Sequence, residues 1–219
     1  IYCFREREEI LDLFDLVCGA RMTFNYMRPG GVAKDLPPEF APKCREFLKK
    51  MPARLREYDD LLSNNEIFVE RMRGVAKIGA DEAVNLGLSG PTLRASGVGF
   101  DIRRFEPYSV YPEFDFDVAV REEGDCLARY LCRTEEIRQS LRIVQQALDG
   151  LPEGPSSTRI NMNLKPAAGE VYHHIEGARG ELGCYLVSDG TTTPVRLKWR
   201  APSFSNLAVL TSALPGWKV

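Results

Sequence analysis

Apolar residues recur every three or four positions in two long segments near the start of the chain, and this spacing predicts amphipathic helices. The first helix runs from about Glu6 to Cys18 and stops at Gly19, a residue type that often closes helices. The second helical region spans residues 38–64, and Pro52 is expected to kink or divide it. Its apolar residues form one narrow seam: Phe40, Cys44, Phe47, Met51, Leu55, Tyr58 and Leu62.

The most regular pattern predicts a long helix from about Asp125 to Leu148 that runs through the core. The apolar seam of this helix consists of Leu127, Leu131, Ile137, Leu141, Val144 and Leu148. Shorter helices are predicted over residues 81–86 and 203–214. Pro91 is expected at the first helical position of a further helix, behind a cap at Ser89 or Gly90.

Strands are predicted in two regions where apolar and polar residues alternate. The segment 114–120 should direct Phe116, Val118 and Val120 to one face. Residues 170–200 predict an antiparallel meander with a turn at 189–194, and residues 152–166 have the composition of a linker. The pattern therefore predicts an α+β fold, helix-dominated, with long central helices and a small antiparallel sheet. We expect one domain, mainly helical over 1–150, with a β meander over 160–200 and a helix over 203–214.

The composition of the chain argues against several classes of protein. The chain has 219 residues, 44% of them apolar, and a net charge of −2, which argues against a general nucleic-acid binder. Its six cysteines contain no CxxC pair and fit reduced thiols. No apolar run reaches 18 residues, and no signal-peptide pattern opens the chain. Because it starts at Ile1 without methionine, we expect a part of a longer polypeptide.

Two clusters could in principle hold a metal ion, and neither is favoured. Glu113, Asp115 and Asp117 would share one face of a strand, but a single strand offers oxygen ligands from only one direction. A solvated strand face is the better interpretation. The adjacent His173 and His174 would point to opposite faces, and one histidine with Glu176 is too small a set for zinc. We therefore expect no metal in this chain.

The sequence also does not support a cysteine metal site, a nucleotide-binding loop or a nucleophilic catalytic site. Cys126 and Cys132 are about 240° apart around a helix and cannot act as joint ligands. The glycine-rich segments 87–91 and 97–99 lack the Gly-Lys-Ser/Thr ending of a phosphate-binding loop, and no dinucleotide fingerprint is present. With both histidines on one predicted strand, no serine or cysteine nucleophile has an assignable base.

The most informative segment is Gly19–Pro37, which places Arg21 and Arg28 in a loop rich in glycine and proline. No acidic residue occurs in this loop before Asp35. The two arginines are therefore either structural anchors paired elsewhere, or cations that face an anion or an electron-rich centre. Spacing alone does not decide between these alternatives.

This segment, together with Phe4–Glu8, resembles the quinone-site subunit of respiratory complex I, which is the D-type subunit of NADH–quinone oxidoreductase. Further matching motifs follow in the same order as in that family, and the resemblance covers essentially all 219 residues. The motifs are Ser89–Gly97, Gly124–Arg133, Arg138–Ile143, Arg179–Gly183, Tyr185–Gly190 and Arg200–Phe204.

The resemblance implies a fold like the large subunit of nickel–iron hydrogenases, without their nickel site, because both CxxC pairs are missing here. It implies a peripheral-arm subunit that forms the quinone-reduction pocket with the subunit carrying the terminal iron–sulfur cluster. Electron transfer from NADH to quinone would be coupled to ion translocation. NAD would be handled by another subunit, and this chain itself would bind no cofactor.

The implied partners are the terminal iron–sulfur cluster subunit, an adjacent peripheral-arm subunit, a quinone-channel membrane subunit and quinone, with no nucleic acid. The implied location is peripheral, on the cytoplasmic side of the inner or plasma membrane, with a bacterial source preferred. The family's catalytic histidine, tyrosine and aspartate precede the Phe4–Glu8 motif, so none is expected in this fragment, which alone should be inactive.

By resemblance, Arg21, Thr23 and Arg28 lie close to the terminal cluster and the quinone pocket. Many relatives have a histidine at the position of Thr23, and threonine cannot titrate near pH 7. Relatives usually carry a longer helical insert between residues 155 and 169. Either that insert is missing here, or the chain is a short-loop variant.

A second class of function stays open at this point. The chain could be a non-catalytic assembly or docking module of a related membrane-bound, hydrogenase-like complex. The density of family motifs favours the redox-enzyme subunit.

Overall fold

The computed structural model describes residues 2–161 and 163–217. It is rich in helix and contains two small antiparallel sheets, which confirms the predicted α+β class. The chain forms two compact units, a smaller one made of Ile1–Glu57 with Val144–Asn163 and a larger one made of Tyr58–Ile143 with Leu164–Val219. The assignment of all 219 residues to one domain stays a prediction. In the described part of the chain, no helix combines the length and apolarity needed to cross a bilayer.

The smaller unit contains the first two predicted helices. Helix α1 spans Tyr2–Cys18 and ends at Gly19, whose φ is +69°. Helix α2 spans Phe40–Tyr58 and continues through Pro52, so this proline does not divide the helix, and a kink there stays a prediction. The predicted seam is buried on both sides of Pro52, which holds the helix together there despite the lost backbone hydrogen bond. Its fully buried members are Cys44, Phe47, Met51, Leu55 and Tyr58.

Between these helices, strands β1 (Met27–Arg28) and β2 (Gly31–Val32) form a two-stranded hairpin. The linker-like segment packs beside it, because the Val32 amide donates to the Ser156 carbonyl at 3.0 Å and the Thr158 amide donates to the Gly30 carbonyl at 2.8 Å. This segment forms no helix or strand of its own, and Met162 within it lies outside the described residues. The local hydrogen bonds thus attach it to the hairpin.

The larger unit contains most of the remaining helices. The predicted 81–86 helix is confirmed as α4, and Pro91 opens α5 directly after a cap at Gly90. The predicted final helix is interrupted by a 3-10 turn at Leu207–Val209. A π-helical turn, Asp59–Ser63, follows α2. The α-helices here are α3 (Glu66–Met72), α4 (Ala80–Asn85), α5 (Pro91–Arg94), α6 (Ile102–Phe105), α7 (Cys126–Asp149, which ends in the smaller unit), α8 (Pro202–Asn206) and α9 (Leu210–Ala213).

The predicted meander is confirmed as a three-stranded antiparallel sheet in the order β3 (Gly169–Gly177), β4 (Gly180–Ser188) and β5 (Arg196–Arg200). Tyr172, Tyr185 and Lys198 lie opposite one another across its three strands. Side chains in register point to the same face of a sheet, so these three define one face.

The predicted strand over residues 114–120 is wrong. The segment is extended but pairs with no strand. Its backbone groups bind side chains instead: the Asp117 amide donates to Gln139 Oε1 at 3.0 Å, and the Ala119 carbonyl accepts a hydrogen bond from Cys132 Sγ. The predicted face is not buried as a unit either: Phe116 and Ala119 are buried, whereas Val120 is 40% exposed.

The long helix is confirmed, but its predicted seam is not its buried face. The buried residues of α7 are Ala128, Cys132, Thr134 and Gln139, whereas Ile137 and Val144 are each 39% exposed. Small and polar residues therefore face inward here, because they meet the 114–120 backbone and the ion pairs described below rather than an apolar layer.

Candidate functional site

The loop that carries the sequence-predicted site is built around its hairpin. Gly30 has a φ of +91°, and a Cβ added there would lie 2.6 Å from the Thr158 carbonyl oxygen. Both the conformation and the close backbone contact require glycine. The hairpin thereby fixes the position of Arg28 on β1, directly before the turn.

Arg21 is held by the preceding helix. Its guanidinium donates hydrogen bonds to Glu8 and Asp12, which are one helical turn apart on α1. The hydrogen bond to Asp12 outweighs the opposing effect of burial, and the pKa of Arg21 lies above its usual value. This geometry is that of a structural anchor, one of the two alternatives left open by the sequence.

Arg28 has a different environment. Its Nε donates to the Asn25 carbonyl at 3.2 Å, and no carboxylate of the described residues lies within 4.0 Å of it. Its side chain is exposed, as are those of Met22, Phe24 and Met27 in the same loop. The loop therefore presents an uncompensated cation amid apolar side chains.

Thr23 is bound to its own backbone: Oγ1 donates to the Met22 carbonyl at 2.7 Å. Its φ of +54° is unusual for a β-branched residue. Arg21, Thr23 and Arg28 thus have separate partners and share none.

The other residues singled out by sequence have contacts of their own. Arg142 forms ion pairs with Asp115 and Asp117. His174 lies between Glu181 (Nδ1 to Oε1, 2.8 Å) and Glu106 (Nε2 to Oε2, 3.0 Å). All six cysteines are free thiols. Among the described residues, no group of three or more His, Cys, Asp or Glu side chains is arranged to hold a metal ion.

A buried ion-pair network in the larger unit was missed by the sequence reasoning. Its centre is Arg94 at the end of α5, which is only 1% exposed. Arg94 Nε and Nη2 donate to Glu136 Oε1 on α7 at 2.9 and 2.6 Å, and Nη1 donates to Glu176 Oε1 on β3 at 2.9 Å. One guanidinium therefore joins a short helix, the long helix and the sheet.

A second arginine extends the network. Asp101 is also 1% exposed, and Arg103 donates to both of its carboxylate oxygens, at 3.0 and 2.7 Å. The other oxygen of Glu176 accepts from the Ile102 amide at 3.2 Å. Each buried charge is thus both paired and hydrogen-bonded, as burial of a charge requires.

Burial and ion pairing shift the pKa values of the carboxyl groups in this network in opposite directions. Burial raises the pKa of Glu176, and Arg94 reduces this effect without cancelling it. For Asp101, burial alone would raise the pKa, but the hydrogen bonds from Arg103 outweigh it and the pKa lies below its usual value. A cavity of about 380 Å³ adjoins the network, lined also by Tyr111, Arg133 and Ser140.

One signal in the sequence could have indicated this network. Arg94 lies between Leu93 and Ala95 in a segment, 88–96, that is buried throughout. An arginine within an apolar, glycine-bounded segment must be paired if the segment is internal. The identity of its partners, 42 and 82 residues further along the chain, could not be read locally.

The family profile and the relatives that match this chain point to the same family. The sequence profile of the family described as "Respiratory-chain NADH dehydrogenase, 49 Kd subunit" matches residues 1–166 and 158–219. A protein from Desulforamulus reducens, named as the D-type subunit of NADH-quinone oxidoreductase, is 48% identical over 219 residues, which is 100% of this chain and 60% of that protein. The protein of the same name from Geobacillus thermodenitrificans is 51% identical over 217 residues, 99% of this chain and 59% of its own length.

The chain spans about 60% of the length of these relatives. A third relative, the second D-type NADH-quinone oxidoreductase subunit of Sinorhizobium medicae, is 47% identical over 236 residues, covering 96% of this chain and 58% of the relative. Since 236 exceeds the length of this chain, that relative has additional residues within the matched region. The D. reducens match, with a length equal to the chain, needs none, which favours the short-loop alternative.

Proposed function

Because the chain belongs to the family of the 49 kDa subunit of respiratory-chain NADH dehydrogenase, we propose that it is part of a complex I subunit in the peripheral arm. In this proposal it helps to form the quinone-reduction pocket with the terminal iron–sulfur cluster subunit. Electron transfer from NADH to quinone is coupled there to ion translocation. The names of the relatives favour this function over a non-catalytic docking module.

The remaining features of the proposal follow from family membership. The fold is that of a hydrogenase large subunit, and the partners are the cluster subunit, an adjacent peripheral-arm subunit and a quinone-channel membrane subunit. The protein lies at the cytoplasmic face of the membrane as a peripheral protein. The quinone and the cluster are held in the assembly, and NAD is bound by another subunit.

The observation that carries a role for this chain's own residues is the environment of Arg28. Its guanidinium has no carboxylate partner among the described residues and is flanked by exposed apolar side chains of the same loop. Exposed apolar patches mark contact surfaces. A fixed cation at low dielectric lowers the free energy of negative charge placed near it. We assign Arg28 to the stabilisation of the reduced form of the neighbouring subunit's cluster, which supplies electrons to the quinone.

Arg21 has a different role in this proposal. Its charge is already balanced by Glu8 and Asp12, so it acts as a positioning residue that ties the start of the loop to α1. Thr23, between the two arginines, supplies no group that titrates near neutral pH.

The test is a redox titration of the terminal cluster in the assembled complex. The variant Arg28→Met should lower the reduction potential of the cluster and slow quinone reduction, while Arg28→Lys, which keeps the charge, should restore much of both. Arg21→Met removes an arginine of the same loop whose charge is already balanced, and it should lower the potential much less than Arg28→Met. In Thr23→His, the potential should gain a dependence on pH near neutrality.

An unchanged cluster potential and an unchanged quinone reductase rate in Arg28→Met would remove the electrostatic role of this residue. A shift in Arg21→Met equal to that in Arg28→Met would show that position in the loop, rather than uncompensated charge, controls the effect.

A further inference from the structure

A cleft on the larger unit is lined by residues that take no part in the buried ion pairs of Arg94 and Arg103. Its floor is the face of the sheet that carries Tyr172, Tyr185 and Lys198, and its wall is the helical segment with Phe204 and Ala208. The cavity volume is about 810 Å³. We call it the β5 cleft, because β5 forms one of its sides.

Aromatic side chains make the β5 cleft suitable for contact with another molecule. Tyr172 and Phe204 line it and are 46% and 79% exposed, and Tyr185 lies beside Tyr172 on the same face. Large aromatic residues are enriched in protein–protein contacts, where they provide much of the binding free energy. Exposed aromatic side chains around one concave surface indicate a contact surface.

The charges of the β5 cleft indicate what kind of partner it takes. Arg200 is paired with Glu181, with 3.0 Å between Nε and Oε2. Arg196 and Lys198 have no carboxylate within 4.0 Å among the described residues. Glu170 accepts a hydrogen bond from Tyr185 on the same sheet face, so the three basic and two acidic side chains leave the cleft with net positive charge.

The spacing of the basic residues adds a geometric constraint. Arg196 and Lys198 are two positions apart on one face, about 6.6 Å along the strand. Carboxylates two positions apart on an extended segment match that spacing.

We propose that the β5 cleft binds an extended, acidic polypeptide segment of a neighbouring protein, with acidic residues at positions i and i+2 facing Arg196 and Lys198. Aromatic or apolar side chains of the segment contact Tyr172 and Phe204. This inference rests on the proposed function only in that the neighbour is sought in the assembled complex.

The test is carbodiimide cross-linking of the intact complex, which joins a lysine amine to a carboxylate in direct contact, followed by mass spectrometry of the linked peptides. We expect Lys198 linked to Asp or Glu of another subunit. Before disassembly, Lys198 should also be protected from acetylation by sulfosuccinimidyl acetate, whereas the exposed Lys165 should be modified.

Variants give a second readout that does not depend on cross-linking chemistry. The double variant Arg196→Glu/Lys198→Glu should reduce the amount of the linked neighbour retained with the complex at least tenfold at low salt. Lys198→Arg keeps the charge and should retain the neighbour. Lys165→Glu, an exposed lysine outside the cleft, is the matched control and should have no effect.

Several outcomes would overturn the inference. Lys198 could link to a carboxylate of its own polypeptide, or be acetylated in the intact complex as readily as Lys165. Protection that disappears with detergent and gives no carboxylate link would identify an anionic lipid as the occupant instead. If the chain does not co-purify with any complex I subunit, the proposed function fails. If it co-purifies but Lys198 behaves in one of these ways, only the β5 cleft assignment fails.

Discussion

Arg94 in the larger unit and Arg21 in the smaller unit each donate hydrogen bonds to two acidic side chains, yet their surroundings differ greatly. The side chain of Arg94 is 2% exposed, and that of Arg21 is 41% exposed. The hydrogen-bonded carboxylates of Arg94 come from two other elements, α7 and β3, and Asp101, which caps α6, lies 3.7 Å from its Nη1. Both partners of Arg21 come from one helix. Similar hydrogen-bonded pairs thus occur in a buried network and on an open surface.

This difference shows that burial, more than the number of hydrogen bonds, determines how much an ion pair affects the free energy of unfolding. A buried charge that loses its partner cannot be solvated, so removal of one member leaves a large desolvation penalty. An exposed pair exchanges its partner for water and gains little. The native arrangement of the larger unit should therefore depend on Arg94 far more than the smaller unit depends on Arg21.

The largest effect is expected for Arg94→Met. Loss of the guanidinium leaves Glu136 and Glu176 without their buried cation, and the free energy of unfolding should fall by about 3–5 kcal/mol. Urea denaturation of the subunit, followed by circular dichroism, measures this change.

Arg133→Met is the control for Arg94→Met, because Arg133 lines the same cavity but, among the residues that the structure describes, its side chain hydrogen-bonds only to the Arg129 carbonyl. It should change the unfolding free energy much less. Equal losses in the two variants would mean that positive charge near the cavity, and not the pairing geometry, carries the effect.

An intermediate effect is expected at His174, which is mostly buried between Glu106 and Glu181. Burial lowers its pKa, but hydrogen bonds to Glu181 and Glu106 outweigh this and raise the pKa above its usual value. A raised histidine pKa stabilises the fold fully below the unfolded-state pKa, near 6.5, and the stabilisation is lost as pH rises through the folded-state pKa.

The variant His174→Gln should therefore lose about 1 kcal/mol at pH 6 and less at pH 8.5, as measured by unfolding at both values. The neighbouring His173 is exposed and points to the other face of β3, so His173→Gln is the matched control. A loss that is the same at both pH values would show that the imidazolium charge is not involved.

The smallest effect is expected for Arg21→Met. Glu8 and Asp12 are exposed and remain solvated without it, so the urea midpoint should change within experimental scatter. A midpoint loss comparable with that of Arg94→Met would overturn the comparison between the two arginines.

The fold could be predicted from sequence where a pattern has a local cause. The predicted α2 seam was correct because its residues face one apolar layer. The predicted meander was correct because its turn residues directly adjoin its strands in the sequence. The 114–120 strand was wrong because alternation indicates one buried face but not a partner strand. The α7 seam was wrong because Ala128 and Cys132, which are small, are buried against the backbone of 114–120.

The candidate site was predictable to a similar extent. The loop with Arg21 and Arg28 was evident from its glycines, and the anchor alternative for Arg21 is consistent with Glu8 and Asp12 being four residues apart on α1. The difference between the two arginines was not predictable, since it depends on which one reaches α1. The Arg94 network was missed because its partners are distant in sequence.

The distance between Arg94 and Glu176 also has a consequence for synthesis. Glu176 follows 82 residues later, so at 5–20 residues per second a ribosome completes Arg94 about 4–16 s before its strand partner exists. During that interval the 89–97 segment cannot reach its native packing, and docking of the β3–β4 hairpin must come late. Until Glu176 is available, the guanidinium of Arg94 lacks a partner and keeps this segment solvated.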